Sequence, residues 1–370
     1  MELFATVNSG MEQLAAQEVK ELVKAKATTH EALVEFKVKS KVKSKEELLL
    51  LVHRLQSVKR IAVNIGKFAS VDKIDFSTLK INWKDFLSAD TKLKINVENV
   101  KGNDNRLEIS RKVIAQLFPV LEKEFKSSPH IEMKHPEVEV LIHRSGEEYF
   151  MGLDVCGREL NARAYRLFVN HAAFKGDLGY YLVRKSGFRA GEKLLSGFAK
   201  DGTVAIEAAV YANELRVTAD SKEFSFHKFP LFKEFDFAKF AEETFTVPKT
   251  ATVIEAFDLG MQSVIAAHKN SALAKTKNYV EFHKYALDEL ELKFSEGEFD
   301  RIIMHITTKD EANLNEIYYQ TSFLLKSGGM LLIIGRKGFE LSISSKFKLI
   351  SEEEIQRGES FHKVWLMEKL

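Results

Sequence analysis

From residue 193 onward, the chain alternates short apolar runs typical of strands with longer runs that have a helical apolar spacing. This alternation restricts the fold more than any other feature, because strands that alternate with helices form a parallel sheet covered on both faces. We therefore predict an α/β doubly wound, Rossmann-like domain over residues 167–370. The paired runs are KLLSGF with TVAIEAAVYA, ATVIEAFD with MQSVIAAHKNSAL, and FDRIIMHI with LNEIYYQTSFLLKS.

The residues before 167 follow a different pattern and predict an α+β region. The runs ELFATVN, LVEFKV and RIAVNIGKF alternate as strands and are separated by two helical segments. This order predicts a ferredoxin-like domain over residues 1–68, with helices on one side of a small sheet. A second unit, residues 69–166, contains the strand Lys92–Val100, a long helix and two strands that turn at Ser145-Gly146.

The composition narrows the class of protein. The net charge of +2 means that any basic function must lie in a patch, and Cys156 is the single cysteine. One cysteine excludes an internal disulfide and a cysteine-based zinc site, and it fits a cytoplasmic compartment. The apolar runs are far shorter than the ~20 residues of a membrane helix, and we find no signal-peptide pattern. We expect no metal site, since the candidate histidines lack a ligand spacing: His130, His135 and His143.

Three stretches resemble the RNA methyltransferases that carry a THUMP domain ahead of a class I S-adenosylmethionine fold. Glu147–Arg166 resembles the junction that ends the THUMP domain, and LLSGFAKDGTVAIEAA resembles the cofactor loop with its helix. FDLGMQSVIAAHKNSA resembles the next strand end and helix, with Asp258, Ala267 and Asn270 at the family's offsets.

The resemblance implies functions for both halves of the chain. It implies a THUMP RNA-binding domain at residues 69–166, RNA as partner, with tRNA favoured, and S-adenosylmethionine as cofactor. The family's best-known members methylate guanine N2 in tRNA or ribosomal RNA. The cofactor-binding residues that it implies are Phe198, Gly202, Thr203 and Asp258.

The cofactor loop departs from the family's pattern. Lys200 stands where the family has a glycine, and its positive charge would lie near a sulfonium cation, although Asp201 beside it could offset that charge. The acid that the family uses near the adenine falls at Tyr285. These substitutions argue against tight binding of S-adenosylmethionine. The other replaced positions are Ser196, Gly197 and Ala199.

The catalytic motif is also replaced. After FDRIIM the family has Asn-Pro-Pro-Tyr, and this chain has His305, Ile306, Thr307 and Thr308. In the family the Asn oxygen and a backbone carbonyl accept the hydrogens of the target amine, and the aromatic ring stacks on the flipped base. Neutral histidine offers one acceptor nitrogen, and threonine offers no stacking face. His305 and Thr307 therefore occupy the catalytic positions without the family's chemistry.

Basic residues suggest where RNA would bind. The run KVKSKVKSKEE is either a solvated loop or an edge that contacts phosphates, and the resemblance favours RNA. Arg163 and Arg166 flank the junction, where they either brace it or contact RNA. The lysines of the run assigned to RNA are Lys37, Lys39, Lys41 and Lys43.

The sequence favours an RNA-binding, noncatalytic subunit that acts beside an active methyltransferase or as a homo-oligomer. The alternative is an active S-adenosylmethionine-dependent guanine-N2 methyltransferase with a rearranged site, in which His305 or Asp201 takes a new role. A THUMP binding module with a purely structural second domain is a third hypothesis.

Overall fold

The computed structural model of the chain resolves into two compact units. One comprises Met1–Leu160 with Asp220–Thr244, and the other comprises Asn161–Ala219 with Phe245–Leu370. Within the described part of the chain, no helix combines the length and the apolar character needed to cross a membrane. The structure describes residues 1–38, 44–76, 79, 81–218, 224–246, 251–307, 311–357 and 360–370.

The secondary structure follows the expected order, an α+β region followed by an α/β region. The strands are β1 (Glu2–Thr6), β2 (Ala27–His30), β3 (Leu33–Lys37), β4 (Arg60–Phe68), β5 (Lys92–Glu98), β6 (His130–Ile131), β7 (Val138–Ser145), β8 (Glu148–Asp154), β9 (Leu194–Gly197), β10 (Ile254–Asp258), β11 (Val280–Lys284), β12 (Phe299–His305), β13 (Leu325–Arg336), β14 (Phe347–Arg357) and β15 (Ser360–Lys369). The helices are α1 (Glu12–Val23), α2 (Ser44–Arg54), α3 (Asn103–Phe125), α4 (Gly176–Lys185), α5 (Thr203–Ala212), α6 (Phe237–Thr244), α7 (Met261–Leu273), α8 (Leu290–Lys293) and α9 (Leu314–Leu324).

The first unit is built on one sheet with the strand order β2-β3-β1-β4-β8-β7-β5-β6. Strand β4 pairs with both β1 and β8, so the sheet continues through residue 68, where we predicted a domain boundary. The bounds 1–68, 69–166 and 167–370 stay predictions. Strand β2 was not predicted, because ATTH has no alternating apolar pattern. This strand is held in place by its antiparallel pairing with β3.

A phenylalanine-rich segment after α5 belongs to the first unit, although we predicted it within the second. Its rings are buried, and Phe229 packs edge-on against Phe86 with ring centroids 5.5 Å apart. The backbone N–H of Phe226 donates to the Val155 carbonyl at the end of β8, at 3.1 Å. Burial of several aromatic rings holds this segment against the first sheet.

The second unit has a mostly parallel sheet with the order β11-β10-β9-β12-β13-β15-β14. Strands β9 to β13 pair in parallel, whereas β15 runs antiparallel to β13 and β14. Strands β10 and β11 lie on one side of β9, and β12 and β13 lie on the other side. The crevice at the carboxyl ends of such strands is where open α/β sheets bind ligands. The predicted doubly wound fold is confirmed.

Arg60 lies buried among three carboxylates on the first sheet. Its Nε is 2.8 Å from Glu98 Oε1 and its Nη1 is 3.2 Å from Glu139 Oε2. The same Nη1 also donates to Asp154, which is fully buried. Burial raises the pKa of Asp154 to about 6 despite the adjacent guanidinium.

This pKa makes stability depend on pH. An acid whose pKa is about 6 in the folded protein, against ~3.9 when unfolded, binds its proton more tightly in the fold. Its stabilising contribution is complete below pH ~4 and is lost as the pH rises through 6, by roughly 2–3 kcal/mol. We therefore expect Asp154→Asn to lack this component of the decline between pH 4 and 6, measured by urea unfolding. Asp90→Asn, on an exposed residue, is the control; equal pH slopes in both variants would contradict the prediction.

Candidate cofactor and active site

The loop from β9 to α5 holds an unusual backbone conformation. Phe198, Lys200 and Gly202 have φ angles of +53°, +55° and +83°. A Cβ atom at Gly202 would lie 2.9 Å from the Ala267 Cβ, so both the angle and the space require glycine. The N–H of Ala199 donates to the Phe257 carbonyl at 2.9 Å, which ties the loop to β10.

Asp201 is the buried centre of this loop. Its Oδ1 accepts the Thr203 hydroxyl at 2.7 Å and the Thr203 N–H at 3.2 Å, at the start of α5. Its Oδ2 lies 2.9 Å from Nη2 of Arg166. Asp201 thus pairs with Arg166, and the Lys200 ammonium lies 5.3 Å from the centroid of the Phe198 ring.

Asn270 joins this loop to the segment before α4. Its side-chain amide donates to the carbonyls of Asp201 and Phe168 at 2.9 and 3.0 Å, and its oxygen accepts the Phe168 N–H at 3.1 Å. Asn270 itself is fully buried. This residue, which we identified only by its offset, therefore has a structural role in fixing the loop.

Asp258 lies at the carboxyl end of β10, as predicted. Its Oδ2 accepts the Lys200 N–H at 2.9 Å and its Oδ1 accepts the Gly260 N–H at 3.0 Å. Each carboxylate oxygen can accept more than one hydrogen bond, so acceptor capacity is left for a ligand. The predicted residues Phe198, Gly202, Thr203 and Asp258 meet at this end of the sheet, but the side chains of Phe198 and Thr203 point into the protein.

Arg163, which we expected either to brace the junction or to contact RNA, is paired with a buried carboxylate. Its side chain is fully buried and forms two hydrogen bonds to Glu207, from Nε at 2.8 Å and from Nη2 at 3.0 Å. The Tyr165 hydroxyl donates to the same carboxylate at 2.7 Å, and burial together with Glu207 raises its pKa well above the ordinary value. A Cβ at Gly176 would collide with this pair, so glycine lets α4 approach.

These contacts favour the bracing alternative for Arg163 and Arg166, and the RNA contact of both residues stays a prediction. An RNA phosphate could reach Arg163 only if its pair with Glu207 opened, and Arg166 is mostly occupied by Asp201. Of the lysine run, Lys37 is exposed and pairs with Glu2 at 2.9 Å. Lys39, Lys41 and Lys43 lie outside the described residues.

The residues at the catalytic positions begin with His305, the last residue of β12. His305 is buried, and its ring stacks on Phe174 with centroids 4.2 Å apart and planes 24° apart. Phe174 also packs edge-on against His362 at 5.4 Å. One face of the His305 ring is therefore covered by protein. Thr307 is half-buried, and Thr308 lies outside the described residues.

A cavity of about 720 Å³ opens at the carboxyl ends of β10 and β11. The resemblance placed the family's acid at Tyr285, whereas an acid on the cavity wall, Asp288, lies three residues further along the chain. Asp288 follows the end of β11 by four residues, and this position is the sequence signal that could have identified it. The cavity is lined by Leu259, Lys284, Ala286, Leu287, Asp288, Glu289, Asn313 and Glu316.

Comparison with known families agrees with the fold. A family model described as RMKL-like, methyltransferase domain matches residues 163–336, and a THUMP domain model matches residues 68–154. Ribosomal RNA large subunit methyltransferase K/L of Photobacterium profundum is 26% identical over 307 residues, which are 79% of this chain and 41% of that protein. The protein of the same name from Buchnera aphidicola is 24% identical over 88% of this chain and 48% of its own length. The chain thus spans less than half the length of these relatives.

Solved structures show the same fold over the whole chain. TrmN from Thermus thermophilus has a TM-score of 0.71 at 19% identity, covering 100% of this chain and 99% of that one. A possible methylase from Clostridium difficile has a TM-score of 0.79 at 19% identity, covering 100% and 98%. SMU.472, a putative methyltransferase complexed with SAH, has a TM-score of 0.73 at 17% identity, covering 99% and 97%. The chain therefore belongs to the proteins that join a THUMP domain to an RMKL-like methyltransferase domain of the class I fold.

Proposed function

We propose that this chain is an S-adenosylmethionine-dependent methyltransferase that acts on RNA. The observation that carries the proposal is the cavity of about 720 Å³ at the carboxyl ends of β10 and β11, beside Asp258. Ligands of open α/β sheets bind in this crevice, and the volume lies within the ~300–1,000 Å³ typical of small-molecule sites. This proposal follows the alternative hypothesis of the sequence analysis rather than its favoured one.

The lining of the cavity fits the cofactor's chemistry. Leu259, Ala286 and Leu287 offer apolar surface for a flat base, and Asp288 offers an acceptor for an exocyclic amine. Among the described lining residues, the carboxylates of Asp288, Glu289 and Glu316 outnumber the ammonium of Lys284, and this excess of negative charge suits a sulfonium group. Asp258 would accept from ribose hydroxyls, and the bound cofactor would supply the methyl group.

The comparisons with known proteins support both the proposed cofactor, S-adenosylmethionine, and the proposed class of substrate, RNA. One structural neighbour is described as complexed with SAH, and the curated relatives are named ribosomal RNA large subunit methyltransferases. A THUMP domain precedes the methyltransferase domain, as in proteins that bind RNA. We therefore propose large-subunit ribosomal RNA as the substrate in place of the expected tRNA.

A second candidate function is RNA binding without methyl transfer. It is favoured by one specific observation, the stacking of His305 on Phe174 at the strand end where the family has its amine-binding motif. Without the family's fixed acceptors, the positive charge that grows on the attacking nitrogen loses part of its stabilisation. The loss of one such preorganised group lowers rates by ~10²–10³. In this case the chain would act beside an active methyltransferase or as a homo-oligomer.

Calorimetry and methyl transfer together test the proposal. We expect the purified chain to bind S-adenosylmethionine with micromolar affinity and to transfer radiolabelled methyl groups to large-subunit ribosomal RNA. Asp258→Asn should weaken cofactor binding ~10-fold or more, because a charged acceptor is lost. Glu296→Gln, on an exposed residue, is the control. RNA binding without methyl transfer to ribosomal RNA or tRNA would establish the second candidate. The absence of cofactor binding would overturn the proposal.

The Arg166–Asp201 pair should stabilise the loop between β9 and α5 and, through this loop, the binding of the cofactor. Arg166→Gln leaves the fully buried Asp201 carboxylate without its guanidinium, and such changes cost about 3–5 kcal/mol. We expect a lower free energy of unfolding in urea and weaker cofactor binding. The double variant Arg166→Gln, Asp201→Asn should recover part of both losses, while exposed Arg189→Gln changes neither. Equal effects of the single and double variants would contradict this role.

The lysine run provides a test of the RNA contact. We expect the triple variant Lys39→Glu, Lys41→Glu, Lys43→Glu to weaken RNA binding in a gel shift. Each lost phosphate contact should also reduce the slope of log affinity against log salt by ~0.7–0.9.

The matched control reverses three exposed lysines of the second unit: Lys277, Lys293 and Lys348. If the lysine run contacts RNA, its triple variant should lose more affinity for RNA than the control variant does. Unchanged affinity and salt slope in the first variant would remove these lysines from the interface.

A further inference from the structure

The two outermost parallel strands of the second sheet bring three metal-ligating side chains together. Strands β10 and β11 pair so that Glu255 lies opposite Glu281, and His283 follows two residues later on the same face. Nε2 of His283 is 2.9 Å from Glu255 Oε2 and 3.8 Å from Glu281 Oε2. One ligand atom from each residue lies within 4.8 Å of the others. We propose that Glu255, Glu281 and His283 bind a divalent transition-metal ion, with zinc as the best fit.

The spacing of the donor atoms suits such an ion. Zinc binds imidazole nitrogen and carboxylate oxygen at ~2.0–2.2 Å, which places neighbouring ligands of a tetrahedron roughly 3.4 Å apart. The two separations from the imidazole, 2.9 and 3.8 Å, lie on either side of this value, so small side-chain rotations suffice. Imidazole with two carboxylates favours zinc and its neighbours over magnesium or calcium, which prefer oxygen alone.

The charge of the cluster also favours a cation. Among the residues that the structure describes, neither Glu255 nor Glu281 forms an ion pair with a lysine or arginine, and each lies within 4.0 Å of the His283 imidazole. A divalent ion between the two carboxylates would neutralise their charge.

The imidazole is held in place while the site stays open to solvent. The His283 ring stacks on Tyr285 with centroids 4.9 Å apart and planes 6° apart. The side chains of His283, Glu255 and Glu281 are 27%, 25% and 62% exposed, so an ion can enter and water can complete its coordination. Glu255 precedes Asp258 by three residues, or about 10 Å along an extended strand, so the ion would lie apart from the cofactor.

The site would fasten an edge of the sheet. Among the described strands, β11 lies at one edge of the sheet and pairs with β10 alone. An ion shared by Glu255 of β10 and by Glu281 and His283 of β11 would link the two strands through their side chains. Since an ion that binds only the folded protein stabilises it, zinc should raise the melting temperature.

Calorimetric titration of the chelator-treated full chain with zinc chloride tests the site. We expect one ion per chain at micromolar affinity and a rise in melting temperature. Glu281→Gln, on the most exposed ligand, should weaken binding at least 10-fold, and His283→Ala should abolish the site. His268→Ala is the control, because this ring packs on Phe282, which points to the other side of β11.

The chain has 11 histidines, so weak zinc binding elsewhere is separated by comparing variants at equal zinc concentration. If His283→Ala fails to fold, Glu281→Gln alone decides. The proposal is overturned if Glu281→Gln and the His268→Ala control bind zinc as the unaltered chain does. It is equally overturned if the unaltered chain shows no saturable binding.

Discussion

The loop that joins β9 to α5 depends on one buried ion pair, between Asp201 and Arg166. Two residues of this loop, Phe198 and Lys200, adopt positive φ angles without being glycine. Such conformations cost on the order of 1–3 kcal/mol each and persist only where the surroundings enforce them. The pair enforces them from one side, and Asn270 does so from the other by donating to the Asp201 carbonyl. The loop therefore keeps the course of a cofactor loop by a network of polar contacts where the family uses small residues.

In the proposed function, the residues assigned to the cofactor and those at the catalytic positions lie on different strands. The proposed cofactor contacts come from Asp258 and from the cavity at the ends of β10 and β11. The catalytic positions begin at the end of β12, where His305 is packed against Phe174. The buried pair of Arg163 with Glu207 joins the segment before α4 to α5. Under this proposal, changes at the end of β12 would alter the reaction while the contacts assigned to the cofactor stay intact.

The sequence predicted those features that depend on local pattern. Alternating strands and helices predicted the parallel sheet, and the apolar run before Asp258 placed that residue at a carboxyl end. Features that depend on distant partners escaped prediction. Arg163 looked like a surface cation because its partner Glu207 lies 44 residues away, and a buried pair has no sequence pattern of its own. The contact of Phe226 with Val155 likewise has no local sequence pattern, since the two residues are far apart in the chain.

The cluster of Glu255, Glu281 and His283 on β10 and β11 likewise could not be predicted from local sequence pattern. Sequence spacing alone relates Glu281 to His283 as alternate residues of one strand, which is unremarkable for an exposed edge. Only the parallel register brings Glu255 opposite Glu281, and a shift by one residue would turn its carboxylate to the other face. Neither a metal motif nor its absence could therefore be inferred from residue spacing, and the expectation of no metal rested on histidines elsewhere in the chain. Strand β10 thus presents an acid at each end, Glu255 toward the cluster and Asp258 toward the cavity, so that one strand's register positions both.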